Sequence, residues 1–312
     1  MTSVAYSKRK KRIFDNALPL VCVFFTILMV FFGENMKEGF ISGARLAVLK
    51  ILPTLFPFFI LADFWSWAFE PAEFSPLQDT NNGLLRTSSG IASAFILGMV
   101  CGFPLGVKTA VKQYECKRIS LKELQWLCPL VNNPSAAFVI SGIGAGLYGD
   151  ALVGLFLYFS VIFSALLIGI LFRPKPEENK NSDVISRQSF SLADSIRSAG
   201  ISSLVILSYI VFFSALIGLV RSFIKDAYLI TLISCFLEIS SACSMTAELY
   251  GGVEPLSLAM SAFALGFSGF SVHLQAFSFM PDMVSKKKYI ITKLLIGSLS
   301  FLISYVFSFI VI

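Results

Sequence analysis

The chain has 312 residues, of which 56% are hydrophobic and only 14% are charged, and its mean hydropathy is +0.78. Soluble domains carry roughly 25% charged residues, and several apolar runs here are long enough to cross a bilayer. This composition excludes an ordinary soluble domain and predicts an all-α, polytopic helical membrane protein. The net charge of +6 is concentrated in short loops, as it is beside lipid headgroups, so it does not indicate a nucleic-acid partner.

In chain order, a basic stretch at residues 7–12 precedes an apolar run at residues 17–32. No small-residue cleavage site follows, so we expect residues 1–39 to hold an uncleaved signal-anchor helix. Residues 173–196 are rich in Pro, Asn and charge and predict a linker between two units, residues 40–172 and 197–312. Each unit has an amphipathic start, a long apolar run, a glutamate, a Gly-Phe step and a basic loop. This order predicts two related repeats of inverted topology.

Three apolar segments are interrupted near their middle. The interruptions are Gly-Phe-Pro-Leu-Gly at 102–106, Asn-Asn-Pro-Ser at 132–135, and a Gly- and Ser-rich stretch at 266–275. Broken backbone at membrane depth is tolerated only inside protein or beside a water-filled cavity, and interrupted segments in both halves of a chain point to a transporter binding site. The residues predicted to break the helices are Gly102, Pro104, Gly106, Pro134, Gly266 and Gly269.

The second interruption predicts the start of a half-helix inside the membrane. Asn133 is a favourable N-cap residue and Pro134 a favourable first helical residue. The free N–H groups and the positive end of the helix dipole would then attract an anion. The alternative is a structural kink whose polar groups are satisfied by neighbouring helices.

Polar residues near the interruptions are candidates for a solute site. The predicted substrate-binding residues are Lys108, Asn132, Asn133, Ser135, Ser271, His273 and Gln275. Lys108 either pairs with an anionic solute or extends to the membrane surface. His273, the single histidine of the chain, either binds solute or has a structural role. Glu238 and Glu70 are predicted as coupling or structural charges, Glu70 near the membrane surface.

Other chemistry is not indicated. The sequence has no phosphate-binding glycine loop, zinc motif or nucleophile elbow, so we expect no cofactor, no bound metal and no enzymatic activity. The distribution of basic loops leaves the membrane orientation open. If every segment spans, the basic loop at 112–123 falls on the side opposite a cytoplasmic N-terminus, and re-entrant segments would remove this conflict.

Five motifs resemble the YlbJ family of sporulation integral membrane proteins, within the nucleoside-recognition (Gate) domain group. They are Ile-Leu-Pro-Thr-Leu-Phe-Pro-Phe at 51–58, Gly-Phe-Pro-Leu-Gly-Val-Lys at 102–108, Asn-Asn-Pro at 132–134, Leu-Glu-Ile at 237–239 and Gly-Phe-Ser-Val-His-Leu-Gln at 269–275. The resemblance covers roughly residues 45–301. It implies a fold like that of concentrative nucleoside transporters, with internal repeats and re-entrant hairpins.

The resemblance also implies a function. We expect an integral membrane transporter that moves a small organic anion, dipicolinic acid, across the outer forespore membrane during sporulation, with a proton or cation as a possible coupling partner. The alternatives are a non-transporting membrane scaffold of a sporulation complex and a transporter of another solute, such as a nucleoside. The sequence leaves the substrate, the coupling ion and the oligomeric state open.

Overall fold

The computed structural model describes residues 23, 26–28, 30–68, 89–175 and 191–311. Within these ranges the chain forms α-helices and two π-helical segments, and no strand. Four of the described helices are long and apolar enough to cross a membrane, and a fifth joins them if a bent pair near the start is one span. The prediction of an all-α, polytopic membrane protein is therefore confirmed.

The first long element is bent and packs along another long helix. α1 (Gly33–Arg45) runs through a π-helical segment (Leu46–Ile51) into α2 (Leu52–Ala68), with a bend of 49° between the two parts. α7 (Leu192–Phe223) packs against both α1 and α2. Glycines permit this close approach, since a Cβ on Gly39 would lie 3.0 Å from the Cα of Gly218.

Two helix pairs turn back on themselves. α3 (Ser89–Cys101) and α4 (Leu105–Glu115) pack against each other, and a Cβ on Gly106 would lie 2.9 Å from the Cα of Gly98. α8 (Ala227–Leu237) and α9 (Ile239–Leu249) pack likewise, with the rings of Tyr228 and Tyr250 6.0 Å apart at their open ends. Helices of this length reach about half-way across a bilayer, so each pair is a re-entrant hairpin.

Two further segments cross the molecule but are interrupted half-way. The first is α5 (Leu121–Val131) followed by the π-helical segment Phe138–Tyr148, and the second is α10 (Pro255–Phe267) followed by α11 (Gly269–Phe279). The unbroken helices α6 (Ala151–Leu171) and α12 (Lys286–Val311) lie beside them. Capping residues determine where several of these helices begin. Ser120 and Glu123 form a capping box before α5, and Asp150 caps α6.

The two hairpins enter the molecule from opposite ends. The first opens at the end where α12 begins, because Tyr114 of α4 hydrogen-bonds Met283 over 3.4 Å. We call this the basic end, since it carries residues 286–288. The second hairpin opens at the other end, where Asn35, Lys225 and Glu248 line one cavity. We call this the opposite end.

The predicted domain boundaries can be placed on these elements. A long helix, a re-entrant hairpin, a broken crossing segment and an unbroken helix follow one another in both units. This order favours the predicted inverted repeats, which stay a prediction. α1 begins at Gly33, inside the predicted signal-anchor region, while residues 1–22 lie outside the described part. α7 begins at Leu192, so the last residues of the predicted linker are helical.

Candidate solute site at the helix breaks

The first two interruptions touch each other. The N–H of Phe103 in the first hairpin turn donates to the carbonyl oxygen of Asn133 over 2.9 Å. Gly102 has a φ of +69°, and a Cβ there would lie 2.8 Å from the Cα of Ser135. A residue with a side chain would therefore be both strained and too close to its neighbour, which explains the glycine at this turn.

The second hairpin turn joins the same region from the other side. A Cβ on Gly269 would lie 3.0 Å from the carbonyl oxygen of Leu237, which places the hairpin turn beside the break between α10 and α11. The hydroxyl of Ser268, in that break, donates to the carbonyl oxygen of Asn132 over 3.5 Å. Four interruptions, two from each unit, are thus connected in one buried region.

Side chains cap the half-helices that begin there. Ser135 accepts a hydrogen bond from the N–H of Phe138 over 3.2 Å, whereas the side-chain amide of Asn133 donates backwards to the carbonyl oxygen of Leu130 over 2.6 Å. The prediction that Asn133 caps this half-helix is therefore wrong. The cap is Ser135, because the helical backbone begins only at Ala136 and the N–H of Phe138 donates to the Ser135 hydroxyl.

Glu238 forms a fourth interruption that the sequence analysis did not include among the breaks. It has extended backbone angles, and its carboxylate oxygens accept from the N–H groups of Ser240 over 2.9 Å and Ser241 over 2.6 Å. It therefore ends α8 and caps α9. Only 3% of Glu238 is exposed. The one sequence signal was a glutamate between two apolar residues.

Lys293, which the sequence analysis missed, is the cation at the centre of the breaks. It is fully buried, and its ammonium donates to the carbonyl oxygen of Asn132 over 3.0 Å and to Oδ1 of Asn133 over 3.1 Å. Among the described residues, no carboxylate lies within ion-pair distance of it. An ammonium held in the interior by uncharged oxygens alone keeps much of its desolvation penalty. Its sequence signal was a lone lysine in the apolar part of the last helix.

Other polar groups surround this lysine. The amide of Asn132 donates to the hydroxyl of Tyr289 over 2.5 Å, and Nε2 of His273 pairs with the carbonyl oxygen of Phe267 over 2.7 Å. The ring of His273 lies 5.4 Å from that of Tyr289. Six buried side-chain atoms of the described residues have no hydrogen-bond partner, and three of them belong to predicted site residues: Oδ1 of Asn132, Nδ1 of His273 and Oε1 of Gln275. Unpaired buried polar groups of this kind call for a water or a ligand.

The remaining predicted residues take different places. Ser271 and Gln275 are buried in α11. Lys108 is exposed and its Nζ lies 4.6 Å above the ring of Phe279, away from the breaks. Gly106 and Gly266 lie inside α4 and α10, where they permit close packing, and Pro104 and Pro134 lie in the breaks themselves. Glu70 lies outside the described residues.

A polar cavity of about 270 Å³ lies near the second hairpin, between α1, α7 and α9. Its outer rim includes the charged side chains of Glu38, Arg221 and Glu248. Its inner wall includes Ser214 and Ser241, whose hydroxyls are 2.7 Å apart. The cavity opens at the opposite end and reaches Ser241, whose N–H donates to the carboxylate of Glu238.

Comparison with curated proteins finds the sporulation integral membrane protein YlbJ of Bacillus subtilis (strain 168). The two sequences are 22% identical over 322 aligned positions, which cover 88% of this chain and 78% of the relative. This chain is a distant relative of YlbJ. This match confirms the resemblance noted in the sequence, as a distant relationship. Together with the helices long enough to cross a membrane, it identifies the chain as an integral membrane protein. No family model and no solved structure matches the chain, so membership of the Gate group stays a prediction.

Proposed function

We propose that this chain is a membrane transporter of a small organic anion, dipicolinic acid, and that it acts at the outer forespore membrane during sporulation. The name of YlbJ supports a role in sporulation. The observation that carries the transport proposal is the buried Lys293, held at the meeting point of four helix breaks without a described carboxylate partner. In this proposal the chain is a carrier and not an enzyme.

The charge of Lys293 suits an anion. Moving an ammonium from water into the interior costs several kcal/mol even after relaxation, and two neutral oxygens offset only part of that cost. A carboxylate of the solute would offset the rest through a charge-assisted hydrogen bond. Dipicolinate carries two carboxylates, so a second positive or donor group is needed near the lysine.

Half-helix N-termini supply such donors. The segment capped by Ser135 begins beside Asn133, and the positive end of its dipole faces the region of the breaks. The buried, unpaired atoms of His273 and Gln275 lie on α11, which begins at the same place. His273 lies on the side of α11 that faces Tyr289 and Lys293, so its Nδ1 offers a polar contact to the solute, and the aromatic ring of the solute would stack on the neighbouring aromatic side chains.

Uptake into liposomes tests the proposal. The purified chain is reconstituted, and radiolabelled dipicolinate is added outside. We expect uptake above that of empty liposomes, at least a tenfold loss in Lys293→Met, and no loss in Lys287→Met. Lys287 is the matched control, because it lies in the same helix but is exposed. The thermal unfolding midpoint of each variant shows whether it is folded.

The outcomes separate the candidate functions. Undiminished uptake by a folded Lys293→Met variant would show that Lys293 does not bind the solute and would refute the proposed site. Absence of uptake by the unchanged chain, together with recovery of bound sporulation proteins, would favour a scaffold. Inhibition by excess unlabelled nucleoside, without inhibition by dipicolinate, would favour a nucleoside transporter.

A further inference from the structure

The cavity at the opposite end gives polar access to Glu238. Arg221 at its rim and Ser214 on its inner wall are seven residues apart on α7, so the cavity reaches about 10 Å inward along the helix. Ser214 hydrogen-bonds Ser241, and the N–H of Ser241 donates to the carboxylate of Glu238. One residue therefore separates the cavity from a buried carboxylate.

No described cation pairs with this carboxylate. Its hydrogen-bond donors among the described residues are the N–H groups and hydroxyls of Ser240 and Ser241, and no described lysine or arginine lies within ion-pair distance. Cys243 is the titratable group that faces it from α9. The C-terminal end of α8, which carries the negative end of a helix dipole, lies at the same residue. The N–H groups at the start of α9 stabilise the negative charge of this carboxylate, but no described cation pairs with it, and it can be reached through polar walls.

We propose that a small monovalent cation, a proton or a sodium ion, enters through this cavity and binds at Glu238, and that its binding drives accumulation of the solute. The proposal rests on the proposed transport function. The hydroxyls of Ser214 and Ser241 are the neutral oxygens nearest to the route, and Glu38 and Glu248 at the rim attract a cation more than Arg221 repels it. For a proton, the acceptor is a carboxylate oxygen of Glu238, which becomes a neutral carboxylic acid.

A purely structural role for Glu238 predicts a different result. As an N-cap, glutamate is replaceable by asparagine or aspartate, which cap at least as well. Only aspartate also keeps the negative charge. Glu238→Asn therefore retains the cap and removes the cation site, whereas Glu238→Asp retains both.

Two transport measurements distinguish these roles. Exchange of internal for external labelled dipicolinate needs solute binding and no ion gradient, whereas accumulation needs the coupled ion. We expect Glu238→Asn to retain exchange within twofold and to lose accumulation at least tenfold, with Glu238→Asp close to the unchanged protein. Ser244→Leu, which fills the cavity without touching Glu238, is expected to slow accumulation. A sodium gradient and a proton gradient, imposed separately, identify the ion.

The outcomes remain separable from those of the proposed function. Accumulation by Glu238→Asn equal to that of the unchanged chain would overturn the cation site. Absence of exchange by the unchanged chain would instead overturn the transport function. Accumulation that neither gradient drives would also overturn the coupling proposal.

A second, independent observation is the separation of charge between the two ends. The start of α5, the end of α6 and the start of α12 lie together, because Lys122, Phe172 and Lys288 line one cavity. This end is net basic. Its basic residues are Lys112, Lys117, Arg118, Lys122, Arg173, Lys175, Lys286, Lys287 and Lys288, and its acidic residues are Glu115, Glu123 and Asp282. The opposite end is net acidic. Its acidic residues are Glu34, Glu38, Asp150, Asp226, Glu248 and Glu254, and its basic residues are Lys37, Lys50, Arg221 and Lys225.

We infer that the basic end faces the cytoplasm and that the cavity leading to Glu238 opens on the other side of the membrane. Lysine and arginine in short loops are retained on the cytoplasmic side, where anionic lipids also attract them. The first re-entrant hairpin removes the conflict found in the sequence, because α3 and α4 return the chain to the basic end before the turn that joins α4 to α5.

Labelling of introduced cysteines tests this orientation. The variants Lys225→Cys and Lys287→Cys are expressed separately in cells and treated with a membrane-impermeant maleimide. Labelling above that of the unchanged chain, which has its own cysteines, is assigned to the introduced cysteine. We expect the Lys225→Cys site to be labelled in intact cells and the Lys287→Cys site only after permeabilisation. Labelling of Lys287→Cys in intact cells, or failure of Lys225→Cys to react until permeabilisation, would overturn the orientation.

Discussion

Replacement of Gly102 by alanine tests whether the first hairpin turn is fixed by its contact with the second break. Gly102 has a φ of +69°, and an alanine Cβ would lie 2.8 Å from the Cα of Ser135 and 2.9 Å from its Cβ. The neighbour is mostly backbone, which cannot rotate away. The hairpin and the broken segment must therefore separate by several tenths of an ångström.

The magnitude follows from the separate losses. A left-handed backbone costs roughly 1–2 kcal/mol for a residue with a side chain. Separation of the two segments weakens the hydrogen bond from Phe103 to Asn133, which contributes about 1 kcal/mol. We expect Gly102→Ala to lower the free energy of unfolding by about 2–3 kcal/mol.

Unfolding of the purified chain in mixed detergent micelles, followed by far-UV circular dichroism, measures this change. Gly200→Ala is the matched control. Gly200 lies in α7 with no neighbour within 4 Å of an added Cβ, and alanine there is expected to be neutral or to stabilise by up to about 1 kcal/mol. Equal stabilities of Gly102→Ala and the unchanged protein would refute the contact between hairpin turn and break.

Three further substitutions test other contacts by the same unfolding measurement. Ser135→Ala removes the cap of the half-helix and is expected to cost about 1 kcal/mol; no change would show that the cap is unimportant. Tyr289→Phe leaves the buried amide of Asn132 without its acceptor and is expected to cost about 1–3 kcal/mol, so an unchanged midpoint would contradict that bond. Gly43→Val overlaps the side chain of Ser214, whose Oγ would lie 2.6 Å from the added Cβ. It is expected to separate α1 from α7, and a folded protein of normal stability would contradict their close packing.

The breaks that the sequence predicted are those with local chemical signals. Gly102 and Pro104 favour a break, and so does Pro134 after two asparagines. Such residues do not force one, because Pro129 lies inside α5 and Gly266 lies inside α10. Glu238 carries no such signal, because a glutamate in an apolar run is as compatible with an intact helix as with a cap. Its role depends on the N–H groups of the residues that follow it, and those become available only once the helix has ended there.

The central cation shows why a candidate site was only partly predictable. Lys108 follows a break in sequence, whereas Lys293 lies on an unbroken helix more than a hundred residues away. Lys293 reaches the second break because α12 packs beside α5 and α10. Proximity of that kind depends on tertiary packing, which hydrophobic periodicity does not encode. Lys108 extends toward the ring of Phe279 instead, in line with the alternative in which it reaches the surface.

Some of the hydrogen bonds at the centre connect the two predicted units of the chain. Lys293 and Ser268 belong to the second unit, and both donate to Asn132 or Asn133 of the first. Hydrogen bonds to a charged group contribute about 1.5–3 kcal/mol. In the proposed function, a carboxylate that binds Lys293 competes with these amide oxygens for the same ammonium. Solute binding would then weaken the connection between the units, and the hairpins that enter from opposite ends could move relative to each other while the solute stays bound.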